Sequence, residues 1–415
     1  MKSNQWGPAR LIFYGWISFQ AVLMAGWYSD ISELSWNFGG IKISTYAVIL
    51  ASAACISVFG AAKHWKGSND ANKPLLVMIA LYLIYQCTLI LPLSMGQAST
   101  MPLTSFVNPL AIRLQVLLIP FLYWFVLPSF RDVSLATKLL CYSSLVPLVV
   151  ALSDFAKGIV KYTDNGELRL VWGGASLLYA FVLITNLRFY SHSRTNLFLA
   201  VPAAVGLIIA NHRSAYIVTG VVTLMAAILP LRGSRRLAGT ISLVAGAAIL
   251  WIVLLNVPSL EESFVSRVST SLDATDPNAV DRFSRWGLAW NFFLSNPING
   301  SMLSNQYYAI HLRDDWPPHN FIFELLPTEG IVGTAFYLFL ICWVGRVALS
   351  YRWDQTMWQM FLVLLFYVGF CLFNANFLGI GNFLEFAFPC SMIMFRREYL
   401  LSRRHEECPT LEQSV

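Results

Sequence analysis

Apolar runs long enough to carry a helix through a hydrocarbon core, about 17–25 residues each, recur along most of this chain. Lipid offers no partner to backbone N–H and C=O groups, so each run must satisfy its own, and a helix does that. Spans are expected near 11–29, 41–62, 75–95, 114–130, 139–156, 170–187, 195–211, 214–230, 239–257, 320–345, 357–376 and 379–395. Composition agrees: 57% of positions are apolar and 12% charged, against about 25% charged in a soluble domain. The expected fold is an all-α polytopic membrane protein of about twelve transmembrane helices, with one long outer loop carrying interfacial helices. Residues 1–257 would form an N-terminal bundle of about nine spans, 258–319 the loop with an amphipathic helix, 320–395 the C-terminal helices, and 396–415 an inner tail.

Basic residues fix the orientation, because Lys and Arg are retained on the cytoplasmic side. With the N-terminus inside, 18 of the 28 fall on the inner side, among them Lys2, Arg10, Arg235, Arg236, Arg396 and Arg397. Lys2 and Arg10 lead directly into the first run with no cleavage-site pattern, so no removable leader is expected. The net charge of +6 is a topology signal and does not imply a nucleic-acid partner. All seven cysteines fall in expected spans or the inner tail, and the six histidines are scattered, which disfavours redox and zinc chemistry.

Trp16, Trp27, Tyr28 and Trp36 suit headgroup anchoring, and the first five spans hold no catalytic pattern. Snorkelling explains Lys42 and Arg113, and Asp154, near the end of the fifth span, reads as a residue at the water boundary or as a buried functional acid. In the outer loop that follows, Asp164-Asn165-Gly166 reads as a turn. Arg169 then opens a span as either an anion contact or an interfacial anchor. Asn211-His212-Arg213 forms a tight outer connection whose arginine must find a partner or water.

The segment 258–319 is too long for a simple connector. Asp281 is expected to cap a helix running to Ser295, ended by Asn296-Pro297. Phe283, Trp286, Trp290 and Phe293 recur on one face, so this helix should lie along the interface. Arg282 and Arg285, three apart, would sit at phosphate height, where guanidinium forks grip phosphate oxygens or merely anchor the helix to headgroups. Pro317-Pro318 then stiffen the approach to His319 at the outer end of an apolar helix. With an unperturbed pKa of ~6.5, histidine can accept a proton near neutrality. Glu324 and Glu329 are costly inside a span, as is Glu385 in the last one. Pro327 with Gly330 and Gly333 suggests a broken helix whose freed backbone groups line a cavity.

The spacing His319-Asn320, nine residues, Gly330, two residues, Gly333 resembles the histidine motif of the O-antigen ligase and polymerase superfamily. Arg285-Trp286 through Asn296-Pro297 and Gly300 is similar to the stretch upstream of it, and Asn211-His212-Arg213-Ser214-Ala215 to its short arginine turn. The resemblance covers roughly 205–345; earlier spans agree only in number. It implies a metal-independent, inverting glycosyltransferase of the bacterial inner membrane with its active site facing the periplasm. No cofactor is implied. The donor would be a glycan on undecaprenyl diphosphate, and the acceptor a lipid A-core sugar for a ligase or a lipid-linked repeat unit for a polymerase. By the same resemblance Arg213 and Arg285 would hold the diphosphate, His319 would deprotonate the acceptor hydroxyl, and Asn320 would orient the histidine or bind sugar. Arg169 and Arg282 are further candidates for the anion, with Glu324, Gly330 and Gly333 in support. A polysaccharide transporter or flippase is the reading from another class, but such proteins carry internal repeats and none is visible here.

Overall fold

The computed structural model describes residues 35–38, 41–44, 73–90, 92, 130–158, 175–186, 194–210, 212–228, 277–300, 318–374, 386 and 388–407. The expected spans 11–29 and 239–257, most of 41–62 and 114–130, and Glu385 lie outside the described residues. In chain order the elements are strands β1 (Ser35–Phe38) and β2 (Ile41–Ser44), then helices α1 (Lys73–Tyr85), α2 (Phe130–Ser143), α3 (Leu145–Ala156), α4 (Ala175–Asn186), α5 (Arg194–Ile209), α6 (Arg213–Ile228), α7 (Pro277–Ser295), α8 (Phe321–Ser350), α9 (Gln355–Cys371) and α10 (Phe388–Glu407). Helices dominate. Among the described residues the exception is the β1–β2 hairpin, paired antiparallel from Ser35 opposite Ser44 to Phe38 opposite Ile41. It takes up the first residues of the expected 41–62 span.

Among the described residues, three helical stretches can cross a membrane by length and composition, Lys73–Ile90, Thr137–Ala156 and Phe321–Ser350, and four shorter apolar helices accompany them. The first continues past α1 into a π-helical turn, Gln86–Ile90. Pro147 explains the division between α2 and α3: it lacks an N–H and its ring clashes with the carbonyl four residues back, so the helix restarts at Leu145 and leaves Pro147 in a first turn.

Helix α9 organises the interior, packing against α4, α6, α8 and α10. Nearly every residue of α4 is buried, so it is surrounded by protein and carries no polar face. Asp354 caps α9 by accepting from Met357 N at 3.0 Å. The same carboxylate takes a two-pronged ion pair from Arg396 of α10, with Nη2 to Oδ2 at 2.7 Å. Helix α10, Phe388–Glu407, runs past the expected end of the last span, so helix continues into the segment read as a tail.

Helix α7 begins at Pro277, four residues before the expected cap. Proline suits the first helical position, where its missing N–H would have no partner anyway. Asp281 is therefore inside the helix and not at its cap; its carboxylate meets Arg285 Nε one turn on, at 2.8 Å. The aromatic face also divides. Trp286 is half-buried and Phe293 buried against the bundle, while Phe283 and Trp290 are exposed.

Candidate functional site

Two segments cross main chain against main chain to make the floor of the site. Helix α8 breaks at Gly330, whose φ of 64° and ψ of −169° are open to glycine but not to residues with a Cβ. Pro327, one turn earlier, has no N–H to give. The turn that ends α7, from Asn296 to Gly300, docks into this break: Ile331 N donates to Pro297 O at 2.8 Å and Val332 N to Ile298 O at 3.4 Å. Gly300 is also left-handed, at φ 65°. A Cβ there would fall 2.5 Å from Gly330 N and 2.6 Å from Glu329 N, so neither strand of the crossing has room for a side chain. The expectation that the freed backbone groups would line a cavity is thus corrected. Donors released by the break are taken by carbonyls of the docked turn, because buried N–H groups left unpaired are costly.

Gly333 has a different reason. A Cβ there would come within 2.7 Å of Tyr82 Oη and 2.9 Å of Glu329 Oε2. Those two atoms hydrogen-bond across 247 residues, the phenol donating to the carboxylate at 2.6 Å, and Gln86 Nε2 donates to the same carboxylate oxygen at 2.6 Å. Glu329 is fully buried.

Above the crossing lies the corner Pro318-His319-Asn320. His319 is half-buried, and its φ of 53° makes it the only left-handed non-glycine among the described residues. Strained backbone of this kind concentrates at functional sites. Trp286 and the Asn320 side chain both hold the corner. Trp286 Nε1 donates to Pro318 O at 2.7 Å, and its ring stacks on Phe323 with centroids 5.1 Å apart. Asn320 caps α8, its Oδ1 accepting from Ile322 N and Phe323 N at 2.9 and 3.3 Å. Its Nδ2 donates to Leu372 O at 3.0 Å, just past the end of α9. Both polar ends of Asn320 are thus engaged in the fold.

The end of α9 also holds the arginine turn. Asn374 Nδ2 donates to Ser214 Oγ, which lies 3.0 Å from His212 Nδ1, and the His212 ring packs 5.2 Å from Phe370. So the 212–214 turn and the 319–320 corner are fastened to positions two residues apart, Asn374 and Leu372. Arg213 opens α6, and its side chain lies outside the described residues. Arg285 is next to Trp286, whose indole holds the histidine corner; its side chain is 15% exposed. Arg282 is half-buried on the same helix, and Glu324 is buried in the first turn of α8, where the helix dipole favours a carboxylate. Arg169 lies outside the described residues. The structure therefore brings together the segments bearing Arg213, Arg285 and His319. Of the residues that fasten them, Trp286 and Ser214 lie in the stretches singled out in the sequence without a fastening role, while Asn374 and Leu372 are not singled out there, although Asn374 stands out as an amide near the end of an apolar run. Among the described residues no three His, Cys, Asp or Glu side chains gather as a metal site.

Residues 198–338, about a third of the 415-residue chain, match the family model described as O-antigen ligase. The match runs from α5 through the break in α8 and takes in the arginine turn, α7, its docked turn and the histidine corner. This segment is similar to the O-antigen ligase family. The match supports a ligase- or polymerase-like, glycosyltransferase-like function in general, in which the substrates are lipid-linked polysaccharides. Comparison with curated proteins gives no match.

Proposed function

We propose that this chain is an O-antigen ligase of the bacterial inner membrane, with about twelve spans, that moves a polysaccharide from undecaprenyl diphosphate to a lipid A-core sugar at the periplasmic face. The reading rests above all on the left-handed His319 corner, tied through Trp286 to the helix that carries Arg285 and through the end of α9 to the turn that carries Arg213. Arg285 and Arg213 grip the diphosphate, with Arg282 and Arg169 reinforcing the same charge. His319 takes the proton of the acceptor hydroxyl as that oxygen attacks the anomeric carbon. The bond from that carbon to the diphosphate oxygen breaks with inversion, and the lipid diphosphate leaves with its growing charge met by guanidinium groups. The histidine then gives its proton to water. Arginines can supply the electrostatic role that a divalent cation plays in other transferases, so no metal is invoked. Asn320 holds the corner by capping α8, Gly300 and Gly330 allow the crossing beneath it, and Gly333 leaves room for the Tyr82–Glu329 contact.

The test is transfer by purified protein in liposomes given the donor glycolipid together with rough lipopolysaccharide. Capped lipopolysaccharide is the expected product. Longer lipid-linked chains without capping would replace the ligase reading with a polymerase, which shares the donor chemistry and differs in acceptor. Glycan movement across the bilayer without any new glycosidic bond would overturn the enzyme and leave a transporter.

A further inference from the structure

The first five spans hold no catalytic pattern in their sequence, yet one of these helices reaches the crossing at two points. Tyr85 Oη donates to Asn299 Oδ1 at 2.7 Å, in the turn that follows α7. On the same stretch Tyr82, one turn earlier, and Gln86, the next residue, both donate to Glu329, the residue before the break in α8, and Gln86 Nε2 also contacts Tyr82 Oη at 2.6 Å. Tyr82 is further fixed by stacking on Phe336, with centroids 3.9 Å apart and planes 7° from parallel. The backbone is irregular at the same place: α1 gives way to the π-helical turn at Gln86, a distortion that often marks functional sites. An acid fully buried in a spanning helix is expensive, and partners brought from another part of the chain offset that cost.

We propose that the span Lys73–Ile90 is a working part of the transfer site, with Tyr85 acting through Asn299, and Tyr82 and Gln86 through Glu329, as positioning residues. They hold both members of the Gly300–Gly330 crossing at once. The crossing sets the height of α7 against α8, and so the separation between Arg285 and His319. The proposal rests on the transferase reading above. Its physical basis is that misplacing reacting groups by about 1 Å can cost on the order of a hundredfold in rate while the binding groups themselves survive.

The experiment uses the full-length protein in liposomes with the lipid-diphosphate glycan as donor. Tyr85→Phe removes one hydroxyl from a half-buried ring. It should lower kcat about tenfold or more per folded molecule, with donor KM within about twofold. Tyr82→Phe should do the same. Apparent unfolding temperatures of Tyr85→Phe, Asn299→Ala and the double variant form a cycle that reports the contact itself, and the double variant should lose less than the sum of the singles. Additive losses in that cycle, or wild-type kcat in Tyr85→Phe and Tyr82→Phe at matched folded protein, would overturn the proposal. A wild-type protein without any transfer overturns the transferase reading and the positioning role with it, while the unfolding cycle still reports whether the span grips the turn.

Discussion

Substitutions at His319 can separate its chemistry from its backbone. Its φ of 53° holds a residue with a Cβ in the left-handed region, at about 1–2 kcal/mol. His319→Ala removes the imidazole and keeps the strain; His319→Gly removes both. His319→Asn removes the base but keeps a side chain that tolerates this conformation. Alanine at positive φ is less stable than glycine by about 1 kcal/mol, so the Gly and Asn variants should unfold above the Ala variant. The gap should be about 2 °C, since a kcal/mol shifts the midpoint less as chains lengthen. All three should lose transfer by roughly 10²–10⁴-fold, the contribution of a general base. Intrinsic tryptophan fluorescence during heating, paired with product per folded molecule, measures both. Equal midpoints for Gly and Ala would refute the strain, and wild-type transfer by any of the three would refute the base. A more stable but inactive His319→Gly would exclude misfolding as the cause of lost activity.

Arg285→Lys keeps the charge and loses the fork, so transfer should fall about tenfold or more, seen mainly as a raised donor KM. Gly300→Ala forces a Cβ against the backbone of Glu329 and Gly330, and should cost at least about 1–3 kcal/mol in unfolding measurements. Asn374→Ala withdraws the donor to Ser214 and should raise donor KM severalfold, while leaving the Asn320 contact to Leu372 in place. Unchanged KM in that variant would show that the arginine turn does not depend on α9.

Much of the site was legible because its residues carry local meaning. Pro327 with Gly330 announced a break in α8, and Asn296-Pro297 announced the end of α7; both lie where the spacing put them. The start of α7 was misread because Asp281 looked like a cap, whereas Pro277 supplies the first turn and frees Asp281 to pair with Arg285. What fills the break was not legible. Ile331 and Val332 find carbonyls more than thirty residues upstream, and no periodicity encodes that docking. The contact between Tyr82 and Glu329 is more remote still: the sequence marks Glu329 as a costly acid in a span but does not point to its partner, and only packing makes them one unit. Asn320 was legible as a polar residue at a helix mouth, but its second bond, to Leu372 O, depends on where α9 ends.

The main-chain bonds between Pro297–Ile298 and Ile331–Val332 have a mechanical consequence. The amphipathic helix is bolted to a helix that can traverse the bilayer, so it cannot float up or down with the lipid surface unless those bonds open. In a thinner or thicker membrane the arginine-bearing helix and the histidine would shift as one rigid piece, and the carrier lipid would have to adjust to the protein.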